Sequence, residues 1–187
     1  MARSEAMKLM ENYKTGENYA YLGLAPHFLI FDEYVAFMEM LTTKENVLSF
    51  YDILLQKDFT VDISIPETAI FVQGDKDALQ RILFNLISNV IRYGNDGKYL
   101  GIFLREDKAN IYIDVTDKGK GIKKEFASNV FDRLYTMEDS RNREIQGNGL
   151  GLTIAKNLAV QLGGDIFLDS IPNIKTTFTV KLKKISY

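Results

Sequence analysis

Residues 75–93 read DKDALQRILFNLISNVIRY, and the fold is decided there. Apolar side chains recur at Leu79, Ile82, Leu83, Leu86, Val90 and Ile91, in the three- and four-residue steps of a helix with one buried side. Asp75 stands where an N-cap belongs, so the spacing predicts a helix from Lys76 to about Tyr93. Asn85 and Asn89 are four apart and share one face of it. Their neighbours are apolar, so these amides project where the buried side meets something polar. Gly94-Asn95-Asp96-Gly97 then reads as a turn.

Upstream, Val47 to Lys57 has helical spacing at Val47, Phe50, Tyr51, Leu54 and Leu55. Phe59 to Ile65 alternates, with Phe59, Val61, Ile63 and Ile65 on one face, and Pro66 closes this half-buried strand. Ile70-Phe71-Val72 reads as a short strand. Downstream, strands are expected at Tyr99–Glu106 and Asn110–Thr116, joined as a hairpin at Asp107-Lys108-Ala109. A short helix fits within Glu125–Tyr135, and the polar run Glu138–Asn148 reads as a flexible loop. Leu150 to Leu162 reads as a helix ended by Gly163-Gly164. Strands at Asp165–Ser170 and Thr176–Lys183 flank a turn at Pro172-Asn173. Hairpin-linked strands dominate. The expected class is therefore α+β: a two-layer α/β sandwich whose mixed, mostly antiparallel sheet carries helices on one face.

A chain of 187 residues has room for one domain and an appendage. With 46% hydrophobic and 26% charged residues it can bury a core. The net charge of −2 implies no basic face, so nucleic acid is not an expected partner. Without cysteine, disulfides and thiolate metal sites are excluded. No apolar run approaches the ~18–20 residues that span a bilayer. The start, MARSEAMKLMENYK, lacks the apolar centre of a secretory signal, so a cytoplasmic location is expected.

Four clusters carry chemistry. Asn85 and Asn89 offer amide oxygens, hard neutral donors suited to Mg²⁺, with Arg92 a turn beyond them. An ordinary amphipathic helix with two solvated amides explains the same residues. Asp117-Lys-Gly119-Lys-Gly121-Ile122 ends a strand, where the carboxylate can accept from an adenine amino group and the glycines admit a close ligand. A plain turn reads the same way. Phe131-Asp-Arg133-Leu-Tyr135 opens the polar loop, in which Arg133, Arg141 and Arg143 offer forked donors to phosphate. A solvated charged loop is the bland counterpart. Gly147-Asn-Gly149-Leu150-Gly151-Leu152 leads into a helix whose N-terminal amides suit anionic phosphates. Those glycines follow a loop rather than a strand, so the dinucleotide-binding fingerprint fails on context.

In order and spacing, the four together resemble the histidine kinase branch of the GHKL ATPases. Asn85–Tyr93 resembles the N box, Asp117–Ile122 the G1 box, Val130–Tyr135 the F box and Gly147–Leu152 the G2 box, over roughly residues 47–187. The resemblance implies the Bergerat ATP-binding fold and ATP-Mg²⁺ as the bound species. It implies Mg²⁺ on Asn89 with Asn85 supporting it as the catalytic pair, Tyr93 beside the nucleotide and Arg92 near phosphate. It further implies adenine on Asp117, a pocket shaped by Gly119, Gly121 and Ile122, and a lid carrying Arg141 and Arg143. Arg133 and Tyr135 would flank the lid, and the phosphates would rest on Gly147, Gly149, Leu150, Gly151 and Leu152. The hydrolysing branches carry a glutamate where this chain has Asn85, which takes no proton, so phosphoryl transfer is favoured over hydrolysis. Partners implied are a histidine-bearing dimerisation domain and a response regulator. A GHKL Ser/Thr protein kinase and a non-enzymatic, chimeric nucleotide-binding module are the alternatives.

His27, the one histidine, lies in Ala-Pro-His27-Phe-Leu-Ile-Phe-Asp32-Glu33 and lacks the helical context of a phospho-acceptor. Residues 1–46 instead resemble the Walker B region of FtsK-type DNA-translocating ATPases. No GxxxxGK[ST] loop accompanies them, so Asp32 and Glu33 receive no ATP chemistry. The expectation is an appended helical or irregular fragment at 1–46 and a kinase-type domain at 47–187. Tyr34 to Leu55 can also be written as one helix able to pair with a second copy as a homodimer.

Overall fold

The computed structural model describes residues 50, 52–64, 72, 74–135 and 149–184. Among the described residues, after a helical stretch at 52–56, five strands and three helices follow in the order β1 (Thr60–Ser64), α1 (Lys76–Tyr93), β2 (Tyr99–Glu106), β3 (Asn110–Asp117), α2 (Lys124–Ala127), α3 (Gly151–Gln161), β4 (Asp165–Ile171) and β5 (Lys175–Lys183). The sheet order is β1-β2-β3-β5-β4. Only the β1–β2 pair is parallel, with α1 as the crossover, and the other three pairs are antiparallel. The expected mixed, mostly antiparallel sheet is observed. The readings on 1–49, including His27, Asp32 and Glu33, lie outside the described residues, as do Ile65, Ile70 and Phe71.

The helix predicted from 75–93 forms as read. The Asp75 carboxylate accepts from Ala78 N–H at 3.0 Å, Asp77 sits in the first turn and Arg92 in the last. Every predicted inward residue is buried, and Ile87 joins them. Before β1, residues 52–56 are helical and end on Asp58, which adopts φ 56° as Phe59 N–H reaches back to Leu54 O at 2.8 Å.

β3 and β5 alternate strictly, sending Ile111, Ile113, Val115, Phe178, Val180 and Leu182 toward the helices. Burial of each such side chain contributes about 1.5–3 kcal/mol. β1 shows its expected half-burial only in part: Phe59 just before it is buried and Ile63 packs on the core, but Val61 does not. α1 packs over β2 and β3, leaving the edge strand with Val61 42% exposed. The short helix expected within 125–135 is one turn, Lys124–Ala127, followed by tight turns. α3 closes in a Schellman pattern: Gly163 takes φ 72°, and Gly164 N–H reaches Ala159 O at 2.9 Å. Gly151, Ala155 and Ala159, spaced by four, share a face of α3, and the two alanines are fully buried where α3 packs on α1.

Candidate functional site

α1 joins the candidate residues, because its middle and its C-terminal end each touch a different cluster. Midway along it, Asn85 Nδ2 donates to Arg81 O at 2.7 Å. A carbonyl only accepts, so the nitrogen is fixed there and Oδ1 is turned outward. Oδ1 faces the start of α3: a β-carbon at Gly151 would lie 3.1 Å from it. One turn on, Asn89 is part-buried on the same face.

At the far end, α1 stops on Gly94, whose N–H reaches Val90 O at 2.7 Å. A β-carbon on Gly94 would come within 2.9 Å of Asp117 Cβ, and one on Gly119 within 2.9 Å of Gly94 Cα. The absence of side chains at both positions lets the loop after β3 lie against the end of α1. Asp117 closes β3 as one of its buried residues, 5% exposed. Its Oδ1 accepts from Gly119 N–H at 2.8 Å, and Oδ2 accepts nothing from the described residues. No buried side-chain polar atom among them lacks a partner, so Oδ2 is where solvent or a ligand reaches it. Burial pushes the Asp117 carboxyl above the usual carboxylate range, and the Gly119 hydrogen bond opposes this only in part.

Sequence reasoning missed two neighbours of Asp117. Thr176 lies opposite it on β5, and Ser170 lies opposite Thr176 on β4. All three point to the helix side, and the hydroxyls of Ser170 and Thr176 are 3.1 Å apart. The signal was a break in the apolar alternation of β3 and β5, both of which turn polar on their inward face at the same end of the sheet.

Phe131 packs edge-on to Phe178 at 6.2 Å. Thr153 in the first turn of α3 donates to Phe131 O at 2.9 Å and lies 3.1 Å from Asp132 O. Leu134 N–H meets Gly149 O at 3.1 Å, and Gly149 takes φ 62°, so the two ends of the intervening loop are joined. Leu150 stands at the N-cap position of α3 without a side-chain cap bond, and Leu152 packs on the core. Tyr135 also packs on the core, while Arg92, Tyr93 and Arg133 are exposed. Ile122 is buried, and its N–H is taken by Ser170 Oγ. Arg141, Arg143 and Gly147 lie outside the described residues.

Asn85 and Gly94 are separated by about 13–14 Å along α1. Among the described residues no three His, Asp or Glu side chains cluster as metal ligands. Asn85 and Asn89 on α1 offer neutral amide oxygens, a donor type that suits Mg²⁺.

The fold is an α/β sandwich with amides on its central helix and a buried carboxylate at a strand end. The chain belongs to the family of histidine kinase-, DNA gyrase B- and HSP90-like ATPases, which residues 74–186 match. ATP is therefore its nucleotide. The sensor histidine kinase YcbM of Bacillus subtilis strain 168 is 48% identical over 144 residues, 77% of this chain and 46% of that protein. WalK, a sensor histidine kinase of the same strain, is 39% identical over 121 residues, 64% of this chain and 20% of that protein. The chain thus spans about half or less of the length of these curated relatives. The mycobacterial sensor histidine kinase MprB shares the fold with a TM-score of 0.67 at 23% identity, covering 83% of this chain and all of that one. A catalytic domain of the histidine kinase ThkA shares it with a TM-score of 0.68 at 20% identity, covering 81% and 94%. No helix among the described residues is long and apolar enough to cross a membrane.

Proposed function

We propose that this chain carries the ATP-Mg²⁺-binding catalytic domain of a two-component sensor histidine kinase. In it the bond from the γ-phosphorus to the bridging oxygen breaks, a phosphorus–nitrogen bond forms on a histidine of a separate dimerisation domain, and ADP leaves. The observation that carries the reading is the pair of contacts along α1, Asn85 with the start of α3 and Gly94 with the Asp117 loop. Asp117 accepts the adenine amino group through Oδ2, with Gly119, Gly121 and Ile122 shaping its surroundings. The amides that open α3, from Gly149 to Leu152, hold phosphate oxygens, and Arg92, Arg133, Arg141 and Arg143 supply further donors. Tyr93 and Tyr135 flank the nucleotide. Asn89 would ligate Mg²⁺ with Asn85 beside it; when bound, the ion supplies neutralisation of phosphate charge. Asn85 cannot take a proton from water, which favours transfer over hydrolysis.

The partners are then a histidine-bearing dimerisation domain and a response regulator, in the cytoplasm. Residues 1–46 are an appended fragment of coupling-ATPase type. An unbroken reading frame across codon 46 at the encoding locus is expected, and a frame break there removes a natural fusion.

The test is incubation with labelled ATP-Mg²⁺ and an added histidine-bearing helical hairpin. Acid-labile, base-stable label on the hairpin is expected. Nucleotide binding with no transfer to any such hairpin means a non-enzymatic module, and acid-stable label means a Ser/Thr kinase. Asn89→Ala is expected to bring the ATP affinity in Mg²⁺ down to the Mg²⁺-free level, and an unchanged response to Mg²⁺ refutes the metal assignment.

A further inference from the structure

The loop from Asp117 to Ile122 is pinned at both ends by side chains, and only one of these is absorbed by the reading above. Asp117 Oδ1 holds Gly119 N–H at 2.8 Å. Ser170 Oγ, from β4, holds Ile122 N–H at 2.8 Å. Two further contacts bind the loop to the β4–β5 hairpin. Asn173 N–H donates to Lys120 O at 2.9 Å, and Gly121, at φ 70°, lies so close that a β-carbon there would be 2.8 Å from Pro172 Cα. The hairpin is thus the outer wall of the loop that carries the base-recognising carboxylate, and Ser170 is its one side-chain fastening to the Ile122 amide among the described residues.

The hydroxyl has a second task, set by counting protons. Ser170 Oγ accepts from Ile122 and owns one proton, with Lys175 O at 3.2 Å and Thr176 Oγ1 at 3.1 Å as candidate acceptors. If the proton goes to Lys175 O, Thr176 donates to Ser170 and shows only lone pairs beside Asp117. If it goes to Thr176, the Thr176 hydroxyl is free to donate. Ser170 therefore governs the hydrogen-bonding pattern beside the carboxylate as well as the loop's position.

We infer that Ser170 is a positioning residue for the base end of the nucleotide site, fastening the Gly119–Ile122 loop to the β4–β5 hairpin and setting the Thr176 hydroxyl, and so enforcing adenine over guanine. This rests on the nucleotide reading proposed above. Removing the hydroxyl leaves the Ile122 N–H without its partner and loosens the loop, whereas Thr keeps the hydroxyl in a strand that suits a branched side chain.

The experiment titrates wild type, Ser170→Ala and Ser170→Thr with ATP, GTP and inorganic tripolyphosphate, each with Mg²⁺. For Ser170→Ala, ATP affinity is expected to fall about tenfold and the ATP-to-GTP preference to shrink by a similar factor. Tripolyphosphate affinity stays as in wild type, and Ser170→Thr restores the preference. An unchanged ATP-to-GTP ratio in Ser170→Ala, or equal losses for ATP and tripolyphosphate, overturns the inference. Failure of wild type to bind ATP overturns the nucleotide reading instead. Should Ser170→Ala not fold, exchange of the Ile122 amide decides. It is expected to be slow in wild type and Ser170→Thr alike, and fast exchange in wild type refutes the fastening.

Discussion

Asp117→Asn separates a role in recognition from a role in the fold. The asparagine keeps the shape and an oxygen for the Gly119 N–H now held at 2.8 Å by Oδ1. It replaces the outward Oδ2 by an amide nitrogen, which donates where an adenine amino group also donates. A hydrogen bond to a charged group contributes about 1.5–3 kcal/mol, so its loss weakens ATP binding about 10- to 150-fold. GTP, which presents a carbonyl in place of that amino group, loses less or gains, so the ATP-to-GTP preference shrinks. Stability moves the other way. Burial is the dominant cause of the raised Asp117 carboxyl, so the folded state disfavours the charge at neutral pH. A raised acid contributes stability below its unfolded value and loses it as pH rises through the folded one. The asparagine removes that cost, and the melting temperature at neutral pH holds or rises. Wild type gains relative to the variant on acidification, while its ATP affinity begins to fall above the usual carboxylate range. Calorimetric titration with both nucleotides and thermal denaturation across pH measure all of this. Unchanged ATP affinity together with a lowered melting temperature refutes the assignment, because Asp117 would then serve the fold alone.

Two more outcomes follow from the geometry. Gly151→Ala places a β-carbon 3.1 Å from Asn85 Oδ1, which must give way while its Nδ2 stays tethered to Arg81 O; Mg²⁺-dependent ATP affinity is expected to drop several-fold with little change in melting temperature, and full affinity refutes the Asn85–α3 contact. Asp107 is held down to about 2 by hydrogen bonds from Ala109 N–H, Tyr112 hydroxyl and Asn110 N–H at the β2–β3 turn. Its stability contribution is therefore present above the usual carboxylate range and is lost as pH falls toward 2. In an acid titration Asp107→Ala is expected to remove that part of the transition, and an identical acid profile refutes it.

Much of this was legible because local periodicity and tertiary burial agree. The 75–93 helix shows its buried stripe and its cap in sequence, and β2 begins and ends where its pattern does. β1 meets its expected half-burial only in part because alternation reports a face and not the neighbours that cover it, and an edge strand lacks them on one side. Asp117 stood out through the glycines beside it. Ser170 and Thr176 did not, since a Ser or Thr in a strand is ordinary until register sets it opposite a buried carboxylate. That register is fixed by pairing between distant segments, which no local pattern encodes.

The orientation of Asn85 is the other feature that composition hides, and it makes the amide more than the absence of a base. Because Nδ2 is tied to Arg81 O at 2.7 Å, the oxygen that faces Gly151 at the start of α3 is neutral and held in place. Asn85→Asp has nearly the same volume, but it cannot donate to Arg81 O and sets a full negative charge where phosphate is to sit. Asn85→Ala loses the tether without adding charge. Without Mg²⁺, ATP affinity is therefore expected to fall in the order wild type, Asn85→Ala, Asn85→Asp. The gap between the two variants is Coulombic, so it closes as salt rises toward 1 M, where the screening length is about 3 Å. Equal Mg²⁺-free affinities for the two variants at low salt refute the placement of phosphate beside this side chain, and a gap insensitive to salt refutes its electrostatic origin.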